Sequence, residues 1–125
     1  MTVAAIIGPH LLRRLAPWLV LLVLEAGSQL ALKAGTIGLA PPSFAGAWVV
    51  DVVSRPMLWL GVFCYIGAFA TWMLILARLP LGAAFPASAL VFVVVLLGSW
   101  LVFHEQIAPL QLVGFALILA GVLLL

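Results

Sequence analysis

Apolar residues run in four blocks along the 125-residue chain, separated by short stretches where charge, proline or glycine gathers. The blocks extend from about Ala16 to Ala34, Met57 to Ala77, Leu81 to Phe103 and Ala108 to Leu125. Each lies near the roughly 20 apolar residues a helix needs to cross a hydrocarbon core. The pattern predicts one all-α integral membrane domain over residues 1–125, with four transmembrane helices. The second and third connections, "RLP" and "HEQI", are short enough to force antiparallel neighbours, so a short-loop antiparallel bundle is expected. The first connection, residues 35–56, is longer. Its Pro41-Pro42 stops a helix, and "SFAGAWVVDVVSR" then predicts a short helix capped by Ser43. That piece either lies along the membrane surface beside a lateral opening or serves as a plain amphipathic connector.

Prolines refine the pattern. Pro17 and Pro109 fall in the first turns of their predicted spans, where a missing amide hydrogen costs little, and Pro56 precedes the second. Pro80, Gly82 and Pro86 sit at the start of the third span. Pro86 frees a carbonyl in the preceding turn and predicts a bend there.

Composition agrees. Hydrophobic residues make up 68% of the chain and charged residues 6%, against about a quarter charged in a soluble protein. The formal charge of +2 is too small and scattered for nucleic-acid binding. Arg13 and Arg14 precede the first apolar run as in an export signal, but that run continues through Glu25 to Lys33, which favours a retained span. Arg13, Arg14 and Arg78 fall on one side of the predicted membrane, and Lys33 and Arg55 on the other. The near balance slightly favours cytoplasmic termini. It also suits small transporters that insert both ways and build antiparallel dimers. Cys64 has no intrachain partner and reads as a small packed hydrophobe.

The candidate chemistry lies in "LEAGSQLALKAG", residues 24–35. Glu25, Gln29 and Lys33 are spaced by four, with Ser28 beside them, so the polar residues are expected on one helix stripe. Glu25 is about 13 Å from either end of its predicted span, near the bilayer midplane. A charge at that depth costs roughly 2.5–3.5 kcal/mol on insertion scales, so Glu25 must face water, find a partner or take up a proton. Structural hydrogen bonding to another helix is the competing role. Ser28 and Gln29 serve either interhelical bonds or ligand contact, and Lys33 either snorkels or binds an anion. Tyr65 and Trp72 on the second span line a cavity or simply pack. Glu105, ahead of the fourth span, is expected to meet that helix's positive dipole end, and it is otherwise a candidate substrate or proton ligand. Gly114 and Gly121, seven apart, mark the fourth helix as a dimerisation face. No metal-ligand cluster, phosphate loop or nucleophile set is present, so neither an enzyme, a cofactor nor a metal is expected.

These residues carry a resemblance. The whole chain resembles the four-helix branch of the drug/metabolite transporter superfamily, which includes the EamA-like and small multidrug resistance proteins. Its second half is similar in particular to the small subunits proposed to flip aminoarabinose-phosphoundecaprenol across the bacterial inner membrane. The likeness rests on Pro80, Gly82, Phe85-Pro86, His104-Glu105, Pro109 and the Gly114–Gly121 pair. In "SQLALK", Ser28 stands where that family has glycine. Glu25, eight residues before Lys33, matches the spacing of the essential glutamate and following lysine in small multidrug resistance exporters. The long first connection and the Phe-Pro and His-Glu segments depart from those exporters.

The resemblance implies a flippase for a polyprenyl-phosphate-linked amino sugar, multi-pass in the bacterial inner membrane. Its partners are then membrane lipid and either an identical or a paralogous four-helix subunit. On that reading Glu25 meets the amine or relays protons, and Lys33, Arg55 or Arg78 pairs with phosphate. The alternative is a proton-coupled exporter of hydrophobic or guanidinium cations. A third class is a small subunit that stabilises a membrane glycosyltransferase without transporting anything.

Overall fold

A computed structural model describes residues 8–43 and 45–124 and is helical in every regular element among them. Helix α1 runs Pro9–Thr36, α2 Gly46–Val53, α3 Pro56–Leu76, α4 Leu81–Ser88, α5 Leu90–Phe103 and α6 Pro109–Leu123. Proline occupies the first turn of α1, α3 and α6, where its fixed φ suits helix entry.

Helix α1 is 28 residues long and begins well before the predicted span, so Pro17 is interior rather than first-turn. Hydropathy marks the stretch that fits lipid, whereas the helix itself persists through the "HLLRRL" turns outside it. At its other end α1 stops at Thr36, where Gly38 takes a left-handed φ of 77° and Leu39 N–H donates to the Thr36 carbonyl at 3.1 Å. The turn therefore comes before Pro41-Pro42. The short helix expected in the first connection is present as α2, but Ala45 is its N-cap and no side chain caps it. Ser43 lies too far upstream to reach the first free amides, and Phe44 of the same segment lies outside the described residues.

Arg55 fastens this connection. Its Nη1 donates to the carbonyls of Gly35 (3.1 Å) and Ile37 (2.6 Å), satisfying acceptors left free at the end of α1. Its Nη2 lies 3.4 Å from Asp51 Oδ2. Trp48 Nε1 donates to Ala40 O at 3.1 Å and Trp59 Nε1 to Val53 O at 2.8 Å, which tie α2 to both flanks.

The core is the α1–α3 interface, with α5 on a second side of α1. Ser28, Ala31 and Gly35 form a buried small-residue stripe on α1, and Gly61, Ala68, Thr71 and Ile75 are buried on α3. Leucines fill the notches that glycines leave. A Cβ at Gly61 would fall 2.7 Å from Leu32 Cγ, one at Gly35 2.7 Å from Leu58 Cγ, and one at Gly98 of α5 2.8 Å from Leu30 Cδ1. In lipid, where burial gives little drive between helices, this close approach supplies the attraction.

The third apolar block is two helices. Pro86 leaves the Gly82 carbonyl without its helical donor, and the ladder changes at Ala89, where Ala89 N–H donates to Pro86 O and Phe92 N–H to Ala89 O, both at 3.1 Å. The expected bend is thus an interruption at 89. Three stretches, Pro9–Thr36, Pro56–Leu76 and Leu81–Phe103, are long and apolar enough to cross a membrane. Helix α6 is apolar but has 15 residues, about 22 Å, and it rests lightly against α4 and α5. Leu125, the expected end of the fourth span, lies outside the described residues.

Candidate functional site

The polar residues of α1 do not share one cavity. Residues four apart advance about 40° around a helix of 3.6 residues per turn, so Glu25 and Lys33 point about 80° apart. Glu25 turns toward α3 and α4, Lys33 toward the end of α5, and Gln29 between them is exposed. Ser28 is wholly buried and donates to the Glu25 backbone carbonyl at 2.7 Å. Its bond is within its own helix rather than between helices.

Glu25 lies in a cleft of about 190 Å³ between α1, α3 and α4, floored by Leu21 and Ala68. Tyr65, Phe69 and Trp72 come from one face of α3 at spacings of four and three, and Phe85 and Ser88 from α4. Trp72 meets Trp18 edge to face, with centroids 6.5 Å apart and planes at 77°. This contact sets the ring that walls the cleft. Tyr65, Phe69 and Phe85 are each more than half exposed, so the cleft opens sideways onto the bundle's outer surface. Among the described residues no side-chain or backbone donor meets the Glu25 carboxylate. A lone carboxylate among aromatic side chains suits a cationic group, which the charge attracts and ring quadrupoles favour.

A second cluster gathers at the other end of α1. Lys33 Nζ pairs with Glu105 Oε1 and lies 5.2 Å from the Phe103 ring centroid. Ser99 Oγ donates to the other carboxylate oxygen at 2.9 Å. Glu105 therefore does not cap the fourth apolar helix. Gln111 serves there instead, its Oε1 accepting from Ala108 N–H at 2.9 Å. The reason is backbone: His104 takes a left-handed φ of 54°, which ends α5 and turns Glu105 back over the last turn of that helix. Beside the pair lies a cleft of about 390 Å³, lined by Ser99, Trp100, Glu105, Gln106 and Gln111 with Leu96 and Ile107.

Arg78 joins neither cluster. It is exposed in the α3–α4 turn, at the opposite end from Lys33. Gly114 and Gly121 lie on the open face of α6, where an added Cβ meets nothing within 4 Å. Arg55 is committed to the end of α1 rather than to a ligand. Among the described residues no group of three His, Cys, Asp or Glu side chains is placed to hold a metal ion.

Sequence reasoning missed Phe69, Ser88, Ser99 and Phe103, and it singled out Phe85 only as part of the Phe-Pro motif, not as a wall of the cleft. Phe69 was findable, because Tyr65, Phe69 and Trp72 make a regular helical stripe. Ser99 and Phe103 share a face at a spacing of four, but pairing that face with Lys33 needs the fold.

No protein-family model matches the chain, and no solved structure does. Curated relatives do match. Proteins from Salmonella paratyphi B, Salmonella newport and Salmonella typhimurium strain LT2 are each 44% identical over 71 residues, which is 55% of this chain. The match takes in 64% of each relative's own length. Each is named "Probable 4-amino-4-deoxy-L-arabinose-phosphoundecaprenol flippase subunit ArnE". Over more than half its length, the chain is thus similar to small subunits named as flippases of a lipid-linked aminosugar, in accord with the resemblance carried by its own motifs.

Proposed function

We propose that the chain is a subunit of a flippase that moves a polyprenyl-phosphate-linked amino sugar across the bacterial inner membrane. The observation that carries this reading is Glu25, an acid deep in an apolar helix, set in an aromatic cleft that opens sideways. Similarity to the aminoarabinose flippase subunits supports the substrate class. A substrate of that kind has a cationic amine, a phosphate and a long apolar tail. Glu25, with Tyr65 and Trp72 beside it, receives the amine and carries a proton in its absence. Lys33 at one end and Arg78 at the other offer charges to the phosphate, and the lateral opening lets the tail stay in lipid. Ser28 shapes the α1–α3 contact, exposed Gln29 offers hydrogen bonds, and Glu105 holds Lys33. Helix α6 makes the fourth crossing, and its Gly114–Gly121 face meets an identical or paralogous subunit.

Mass spectrometry of lipids that stay bound to the purified protein tests the substrate class. Polyprenyl-phosphate amino-sugar lipid on the wild type, and its loss from Glu25→Gln, is expected. Its absence, together with proton release on adding a hydrophobic cation, contradicts the reading. That outcome favours the second one, proton-coupled export of hydrophobic cations, for which the aromatic side chains around Glu25 are the specific support.

A further inference from the structure

The Lys33–Glu105 pair has the form of an occupied anion site. One carboxylate sits between an ammonium on α1 and the Ser99 hydroxyl on α5, at the rim of the 390 Å³ cleft. Two different donors converge on an anion that the chain itself brings in. The pair also has a mechanical consequence. Among the described residues it is the one side-chain hydrogen bond that joins α1 to the α5–α6 connection. Glu105 reaches this position because His104 reverses the backbone in a left-handed conformation, a turn few non-glycine residues adopt.

A phosphate ester can satisfy the same two donors as the carboxylate. A monoester brings three terminal oxygens and more charge, and a diester, as in a phosphate-linked sugar lipid, matches the carboxylate with two terminal oxygens and one charge on a tetrahedral centre. Both partners of the pair are about two-fifths exposed, 41% for Lys33 and 44% for Glu105; Glu105 and Ser99 line the cleft, and Lys33 stands behind Glu105 in contact with its carboxylate. Exposed pairs of this type are weak, which makes exchange of one anion for another feasible.

We propose that Lys33 and Ser99 form a phosphate-binding subsite which Glu105 fills from within the chain, so that a phosphate-bearing ligand displaces the carboxylate and unfastens α1 from the α5–α6 connection. The proposal rests on the reading of the chain as a carrier of phosphate-linked lipid, and it assigns Glu105 the part of an internal competitor rather than a substrate ligand.

Calorimetric titration of the full chain in dodecyl maltoside micelles tests it, with farnesyl phosphate, farnesol and inorganic phosphate as probes. Glu105→Gln is expected to tighten farnesyl phosphate binding about two- to fivefold, the range set by an exposed ion pair. Lys33→Gln is expected to weaken it by at least as much. A gain of affinity cannot come from misfolding, so the first variant is informative whatever the second does. Inorganic phosphate that follows the same variant pattern identifies the free anion as sufficient. Response to farnesyl phosphate alone identifies a lipid-borne phosphate. Both results support the subsite. Equal binding of farnesol, or Glu105→Gln that binds farnesyl phosphate no better than wild type, overturns it.

The release of α1 has its own readout. Spin labels at Ile37→Cys and Leu110→Cys, in a Cys64→Ser background, are expected to move apart when farnesyl phosphate is added. In Glu105→Gln they are expected to be apart already, and an unchanged separation in both cases overturns the fastening role. Because no probe carries a sugar and no transport is measured, these results stand apart from the transport reading. A protein that flips lipid-linked sugar yet fails both tests keeps its function and loses this subsite.

Discussion

His104 holds φ at 54° and ψ at 34°, and the position of Glu105 depends on that turn. Left-handed backbone costs a residue with a Cβ roughly 1–2 kcal/mol, and glycine escapes the cost. His104→Gly is therefore expected to leave stability unchanged or raise it by up to about 1 kcal/mol, and His104→Val to lower it by about 1–2 kcal/mol. Thermal unfolding in detergent, followed by circular dichroism, checks the order of the three proteins. At this scale the candidate charged residues were legible in the sequence, because Glu25, Lys33 and Glu105 stand out in an apolar chain. It did not show their partners. An unbroken four-residue spacing suggested one stripe for Glu25, Gln29 and Lys33, whereas the slow rotation of that stripe sends its two charges to different neighbours. The role of Glu105 was hidden for another reason: histidine enters left-handed turns more often than most residues with a Cβ, but still too rarely for His104 to announce one.

Helix α1 owes its place to leucines seated over glycines, with Leu32 at Gly61 and Leu30 at Gly98. Gly61→Val puts new carbon into space Leu32 already fills, and an overpacked contact of this kind costs about 1–3 kcal/mol. Gly82→Ala, where an added Cβ meets nothing within 4 Å, is expected to be neutral or slightly stabilising. Parallel melting curves for the two variants separate a packing role from a general intolerance of larger residues. Element positions were largely legible, since proline and charge punctuate the apolar blocks. Two departures have physical causes. Hydropathy reports fit to lipid and so underestimates α1, which continues past its apolar stretch. In the third block the bend expected from Pro86 falls three residues later, because the donor that Pro86 removes is followed by a reset of the helix at Ala89.

Across the whole molecule the charges are sorted by position. Lys33 pairs with Glu105 and Arg55 with Asp51 at one end, while Arg13, Arg14 and Arg78 gather at the other and Glu25 lies between. Around this arrangement the outer surface is almost wholly apolar, and α6 is the least covered helix, with Leu110 82% and Leu123 85% exposed. Lipid or a second subunit must cover it. An added Cβ at Gly114 or Gly121 meets nothing within 4 Å, so Gly114→Leu combined with Gly121→Leu is expected to spare the chain's own packing. If α6 is the dimer face, the double variant is expected to migrate as a monomer in cross-linking experiments while its helix content stays at the wild-type level. A dimer that persists places the contact elsewhere. The sequence made this face visible as a spacing of small residues, and the fold leaves it open. The central claim is that Glu25 in its aromatic cleft carries the transport step. It is tested most directly by reconstituting wild type and Glu25→Gln in liposomes with a fluorescent polyprenyl-phosphate amino sugar and measuring how much label becomes accessible on the opposite leaflet. Losing a charge-assisted bond predicts a fall in the flipping rate of about tenfold or more, and a Glu25→Gln protein that flips the lipid at the wild-type rate contradicts the account.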